Sequence, residues 1–229
     1  MTTPSIPPAL RLTFGRRLRA WYRRSARDLP WRRTRDPYRI LVSELMLQQT
    51  QVSRVVPKYA EFLRAFPTLR AVAKATPARV CEAWEGLGYY ARARNLHRLA
   101  REVTDSGTRR GQLPQTPSEL RALPGIGAYT AGAVASFAYE TRASLVDTNV
   151  ARVLRRVFQP DLDPKSAAGQ KTLWSIAEMI LPRSGRTAWT HNQALMELGA
   201  LVCTARQARC GECPVASCCA TATAAAPKT

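Results

Sequence analysis

Long hydrophobic runs are missing from this 229-residue chain. Apolar runs such as Ile40–Val42 and Leu45–Leu47 are broken far short of the roughly 18 apolar positions that a membrane-spanning helix requires. No apolar segment with a cleavage site opens the sequence, so no secretory leader is expected; the expected location is cytoplasmic, or with the nucleoid in a prokaryote. No stretch alternates cleanly between apolar and polar residues, which argues against a sheet protein, and no internal repeat is visible. Lysine is scarce, with only Lys58, Lys74, Lys165, Lys171 and Lys228. Acidic residues number 16 against 35 basic ones, for a formal net charge of +19. A chain with 45% hydrophobic residues is not disordered in the main, and its length suits one large or two small domains.

With only five lysines among 35 basic residues, arginine supplies the other 30. The guanidinium fork pairs bidentately with phosphate oxygens, so the excess favours a polyanion, nucleic acid before a membrane surface. Cysteine is distributed unevenly. Cys81 stands alone, whereas Cys203, Cys210, Cys213, Cys218 and Cys219 crowd into 17 residues. A disulfide scaffold spreads its cysteines; clustering in a leaderless chain points to metal. One Cys-x-x-Cys with two wide arms is unlike the paired knuckles of a zinc site and suits a bulkier iron–sulfur cubane.

The remainder reads as helix. Leu10, Leu12, Phe14, Leu18 and Trp21 mark one helix with a basic face of Arg16, Arg17, Arg19, Arg23 and Arg24. Asp36-Pro37 opens a second that runs through Leu47. Thr50 is the expected N-cap of a helix from Gln51 to about Ala65, and Thr68, Thr76-Pro77 and Thr116-Pro117 start short ones. Further helices are expected over 90–103, 129–138, from Asp147 through Phe158, over 166–180 and over 187–202. The segments 105–115 and 159–165 read as loops, and the Thr/Ala tail 221–229 as disordered.

Three constellations carry chemistry. Leu123-Pro124-Gly125-Ile126-Gly127-Ala128-Tyr129-Thr130 is a helix, a tight glycine turn and a second helix whose N-terminal amides form an anion site. In so basic a chain the anion is a DNA phosphate, which makes Gly125, Gly127, Tyr129 and Thr130 candidate backbone contacts. Glu44 lies in Ile40-Leu41-Val42-Ser43-Glu44-Leu45-Met46-Leu47, where burial would raise its pKa as a general acid needs; a place on the helix's solvent face is the alternative. Asp147, after Leu145-Val146, is a helix N-cap whatever else it does.

The chain resembles adenine DNA glycosylases of the MutY type, within the helix-hairpin-helix superfamily that includes endonuclease III. The resemblance covers about residues 14–220. It rests on Leu29-Pro30-Trp31, on Ser43-Glu44-Leu45-Met46-Leu47-Gln48-Gln49-Thr50-Gln51, on Gly86-Leu87-Gly88-Tyr89-Tyr90-Ala91-Arg92, and on the hairpin. Val146-Asp147-Thr148-Asn149-Val150, Met196-Glu197-Leu198-Gly199-Ala200 and the cysteine loop complete it.

The resemblance implies an all-α, two-lobed glycosylase: a six-helix lobe with the hairpin over 29–140, an iron–sulfur lobe from 1–28 plus 141–220, and the tail. It implies that Glu44 protonates adenine at N7, that Asp147 stabilises the oxocarbenium-like sugar and that Asn149 supports Asp147. Gln49 and Tyr89 match wedges into the base stack, Trp31, Arg32 and Glu197 match the adenine pocket, and Thr50 belongs to the same substrate-binding set. Cys203, Cys210, Cys213 and Cys219 match the ligands of a [4Fe–4S] cluster, leaving Cys218 a spare neighbour. Tyr129 stands where bifunctional relatives carry a Schiff-base lysine, so base removal without efficient strand cleavage is expected. The expected partner is double-stranded DNA with a mismatch, bound by a monomer, with no membrane. The chain ends about ten residues past Cys219, and a short form without the usual 8-oxoguanine-reading domain is expected. Tyr129 also suits mismatch thymine or uracil glycosylases, the runner-up reading; a non-catalytic, cluster-bearing DNA-binding module is the minor one.

Overall fold

The computed structural model describes residues 5–105 and 111–225. Among these there is no β-strand, only an isolated bridge between Cys203 and Ala208. Backbone contacts divide the chain into two compact units, residues 28–141 and residues 1–27 with 142–229.

The discontinuous unit begins with α1 (Pro8–Ser25). The apolar positions expected to face its core are only partly right. Phe14, Leu18 and Tyr22 are buried at a spacing of four, while Leu12 is 73% exposed because two residues before Phe14 puts it on the far side of the helix.

The described residues of 28–141 form seven α-helices, three of them of only five to seven residues. They are α2 (Pro37–Leu47), α3 (Val52–Ala65), α4 (Leu69–Lys74), α5 (Pro77–Ala83), α6 (Ala91–Asp105), α7 (Pro117–Arg121) and α8 (Ala128–Tyr139). Their starts are local chemistry. Asp36, Thr68, Thr76 and Thr116 each accept a bond from the amide three residues on, and proline fills the first turn of α2, α5 and α7. Thr50 is displaced from the cap expected of it: Gln51 stands at the N-cap position of α3, with no side-chain capping bond. The core places Trp84 edge-on to Phe62 at 5.5 Å. Burying such rings stabilises the unit by about 1.5–3 kcal/mol each. Between α2 and α8 the approach is close because α8 carries Ala131-Gly132-Ala133 on its buried length.

The chain then returns to the first unit with α9 (Thr148–Phe158), α10 (Ala167–Ile180), α11 (Gly185–Leu201) and α12 (Ala220–Ala225). The last is a correction, since 221–225 is helical rather than disordered; 226–229, and 106–110 of the expected loop, lie outside the described residues. Phe14 meets Phe158 edge-on at 5.1 Å, with His191 of α11 behind it. His191 is fully buried, and the Arg19 guanidinium donates to its Nδ1 at 3.5 Å. Burial, with the nearby Arg19 charge, pushes its pKa down to about 3.

The folded protein therefore binds this proton far less readily than the unfolded chain does. The stability that depends on neutral His191 is complete above about pH 6.5 and is lost as pH falls toward 3, by about 1.4 kcal/mol per pH unit. Urea melts of the native chain and of His191→Gln at pH 7.5, 5.5 and 4.5 check this. The Gln variant should show the shallower decline, and parallel declines would contradict it.

Candidate active site

Beyond its first turn, helix α2 is buried on every side up to Met46. Tyr38 and every residue from Ile40 to Met46 are buried, which settles the position of Glu44: its side chain is 3% exposed. The two apolar runs flanking Ser43-Glu44 leave no polar stripe, and a helix that is apolar all round sits inside. Ser43 discharges its hydroxyl onto the Ile40 carbonyl at 2.8 Å. Glu44 meets Tyr129 of α8, whose phenol donates to Oε2 at 2.7 Å. Tyr129 and Glu44, 85 positions apart, thus form one site within residues 28–141.

The hairpin preceding Tyr129 uses its two glycines differently. Gly125 has φ +75°, and a Cβ there would lie 2.6 Å from Asn95 atoms. Gly127 has an ordinary φ of −85° and is the N-cap of α8, so positive φ is not its reason. Nothing lies within 4 Å of where its Cβ would be, which leaves the α8 N-terminus open to an approaching anion. The Thr130 side chain is buried, and its hydroxyl accepts from Gln48 Nε2 at 3.2 Å. Only its backbone amide, in the first turn of α8, belongs to the anion site.

Gln49 and Tyr89 are exposed and adopt the left-handed backbone region, with φ of +56° and +49°. Trp31 lies in a 3-10 turn, Pro30–Arg32, and packs edge-on against Tyr59 at 5.5 Å; Arg32 is half-buried beside it. Thr50 is half-buried, and its hydroxyl accepts from Arg92 at 3.2 Å.

In the other unit Asp147 caps α9: Oδ1 accepts the Val150 amide at 2.7 Å and Oδ2 the Asn149 side-chain amide at 3.0 Å. Arg152 fixes which way Asn149 points by donating to its Oδ1 at 2.7 Å, and the same guanidinium reaches the carbonyls of Gly199 and Cys203, each at 2.7 Å. Asn192 holds the segment before Asp147 by donating to the Ala143 carbonyl at 2.9 Å. Gly199 is required where it stands, because a Cβ would come within 2.7 Å of Asn149. Glu197, with no exposure, takes a fork from Arg27: Nε to Oε1 at 3.0 Å and Nη2 to Oε2 at 2.7 Å, with the Arg27 amide adding a third bond to Oε1. The sequence reading missed Arg27, Arg92 and Arg152. Each is one arginine among 30, and nothing in its neighbours marks it.

The cysteine loop forms its own cavity of about 210 Å³ in this unit, lined by Cys203, Cys210, Cys213 and Cys219 over an apolar floor that includes Val153 and Leu198. Cys218 is buried and absent from that lining. Among the described residues no three His, Cys, Asp or Glu side chains converge as they would on a single ion. Burial pushes the Cys213 thiol up to about 11 and raises that of Cys219, and the neighbouring thiols add to both shifts. Four crowded thiolates repel one another unless a cationic core sits among them. The donors thus fit a multi-iron, thiolate-bound group, and Arg156 donates to Cys203 Sγ at 3.4 Å.

Residues 42–179 match the HhH-GPD superfamily of base excision DNA repair proteins. The chain is 47% identical over 202 residues to an adenine DNA glycosylase of Mycolicibacterium smegmatis, covering 88% of this chain and 67% of that protein. With the human adenine DNA glycosylase it shares 44% over 213 residues, again 88% of this chain but 38% of the relative. The chain thus spans about two thirds of the one and about two fifths of the other. Among solved structures, a thermostable thymine-DNA glycosylase superposes with a TM-score of 0.84 at 30% identity, covering 94% of this chain and 98% of that one.

Proposed function

The chain belongs to the HhH-GPD superfamily of base excision DNA repair proteins, and from that premise we propose that it is a monofunctional DNA glycosylase hydrolysing the N-glycosidic bond of adenine mispaired with guanine or 8-oxoguanine. The observation that carries this is Glu44, a carboxyl shut away from water with one oxygen tied to the Tyr129 phenol. In its protonated form this carboxyl delivers a proton to adenine N7. The C1′–N9 bond then breaks, its electron pair leaves with the neutral base, and the sugar develops oxocarbenium charge. Asp147, with both oxygens accepting N–H bonds, supplies the opposing negative charge. Water adds at C1′ and its proton returns to a carboxylate. The target nucleotide must leave the stack first, because its glycosidic bond is unreachable inside it.

Tyr129 supports the monofunctional assignment, since a phenol forms no imine. The +19 charge and the open N-terminus of α8 support a duplex DNA partner. Cys203, Cys210, Cys213 and Cys219 would hold a [4Fe–4S] cluster. When bound, it supplies four metal–thiolate cross-links to a loop with little core of its own.

Two observations favour adenine over thymine. Identity to adenine-specific relatives reaches 47%, against 30% to the thymine enzyme. Thymine also has no ring nitrogen for a buried acid to protonate. Single-turnover kinetics on A opposite G, A opposite 8-oxoguanine, T opposite G and U opposite G decide between them. Adenine should leave fastest; faster loss of thymine or uracil than of adenine from both adenine duplexes would overturn the assignment.

A further inference from the structure

One guanidinium ties the end of α2, the helix that carries Glu44, to residues 48–50 and 87–88. Arg92, the second residue of α6, is 7% exposed. Its Nη1 donates to the carbonyls of Leu45 at 2.8 Å and Met46 at 3.0 Å, in the last turn of α2, and to that of Gln48. Its Nη2 donates to the carbonyls of Leu87 at 3.1 Å and Gly88 at 3.0 Å and to the Thr50 hydroxyl at 3.2 Å. The same group lies 5.8 Å from the ring centre of buried Trp84 and 5.3 Å from that of Tyr89.

Two consequences follow. The last carbonyls of a helix lack partners within it, and a cation there complements the helix dipole, so Arg92 caps the helix that carries Glu44. It also grips residues on both sides of Gln49 and the two residues just before Tyr89. Gln49 and Tyr89 are the two exposed non-glycine residues with left-handed φ in segments 48–50 and 86–90. Such backbone persists only where its surroundings over-determine it, and here the flanking carbonyls are held by one fork. Lysine offers a point charge with no fork and could not span both segments.

We infer that Arg92 is a positioning residue that sets the two exposed, strained side chains, Gln49 and Tyr89, in fixed register with Glu44 so that they enter the duplex together as the target base leaves it. This rests on the glycosylase reading above. Phosphate contacts supply most of DNA affinity, and a buried Arg92 with both Nη groups bonded within the protein makes none, so the loss falls on base extrusion and chemistry rather than on binding.

The test compares the native chain with Arg92→Lys for melting temperature, DNA affinity and single-turnover excision of adenine opposite 8-oxoguanine. In an Asp147→Asn background, which blocks cleavage, a 2-aminopurine beside the target adenine reports unstacking. Arg92→Lys should bind DNA nearly as well, lose most of the fluorescence rise and excise roughly 10- to 100-fold more slowly, as misplacement by about an ångström does. In a Gln49→Ala, Tyr89→Ala protein the same substitution should cost little more, because it acts through those side chains. Should Arg92→Lys fail to fold, Thr50→Val removes one Nη2 acceptor without touching the charge and should shift fluorescence and rate in the same direction. An undiminished rate and fluorescence rise in the substituted protein, or an equal cost in the doubly trimmed one, overturns the inference. A native chain that excises no adenine refutes the substrate assignment instead, and the fluorescence comparison on any mismatch it binds still decides the role of Arg92.

Discussion

Asp147→Asn is expected to lower single-turnover excision by roughly 10²–10⁴ while the protein stays folded. Asparagine caps a helix as well as aspartate does, so its Oδ1 can keep the Val150 amide bond that starts α9. Its amide nitrogen, however, then faces Asn149 Nδ2. Arg152 holds Asn149 in that orientation, so the amide cannot turn to relieve two opposed donors. One frustrated bond of this kind costs about 1 kcal/mol, a shift of a few degrees in melting temperature. What is lost outright is the negative charge. Glu44→Gln should match it in rate: the amide fits the buried site and its oxygen can still accept the Tyr129 phenol, but it carries no acidic proton. Rates and melting curves for both variants check the pair. Retention of more than about a tenth of the native rate by either would remove that carboxyl from the chemistry.

Cys219→Ser and Cys218→Ser should part completely, although they are adjacent. Cys219 lines the cavity with the other three thiols, whereas Cys218 is buried outside its lining, with the neighbouring Ser217 hydroxyl at 4.0 Å. The native protein should be brown, with broad absorbance near about 400 nm and about four irons per chain. Cys218→Ser should keep colour, iron and melting temperature. Cys219→Ser should lose most of the iron and melt at lower temperature, because the loop has an isolated bridge and short 3-10 turns but little core to hold it. Iron and sulfide analysis with absorbance spectra distinguishes the outcomes; zinc in place of iron in the native protein would end the cluster assignment.

Much of this was legible because it is local. Thr68, Thr76, Thr116, Asp147 and Ser166 cap helices through an amide three residues away, and that spacing is visible in the sequence. The crowding of the cysteines is equally local; which four of the five line one cavity is not, and the family resemblance supplied that choice. Thr50 failed as a cap for an instructive reason. Its hydroxyl is taken by Arg92, 42 positions later, and α3 starts one residue on at Gln51 without a side-chain cap.

By itself the sequence determined the all-helical class, the hairpin, the clustering of the cysteines and the two carboxyl candidates, since each depends on residue types a few positions apart. Only the tertiary structure decided that Glu44 is buried rather than on a wet face, for that depends on what covers α2, including Tyr129, 85 positions away. The same holds for the inward turn of the Thr130 hydroxyl, the Arg27 fork on Glu197, the Arg152 bridge to Asn149 and the grip of Arg92 on three segments. An arginine side chain is long enough to serve any of several surfaces, and nothing in its sequence neighbours says which. Its partners are largely backbone carbonyls, identical at every position until the fold brings particular ones within reach.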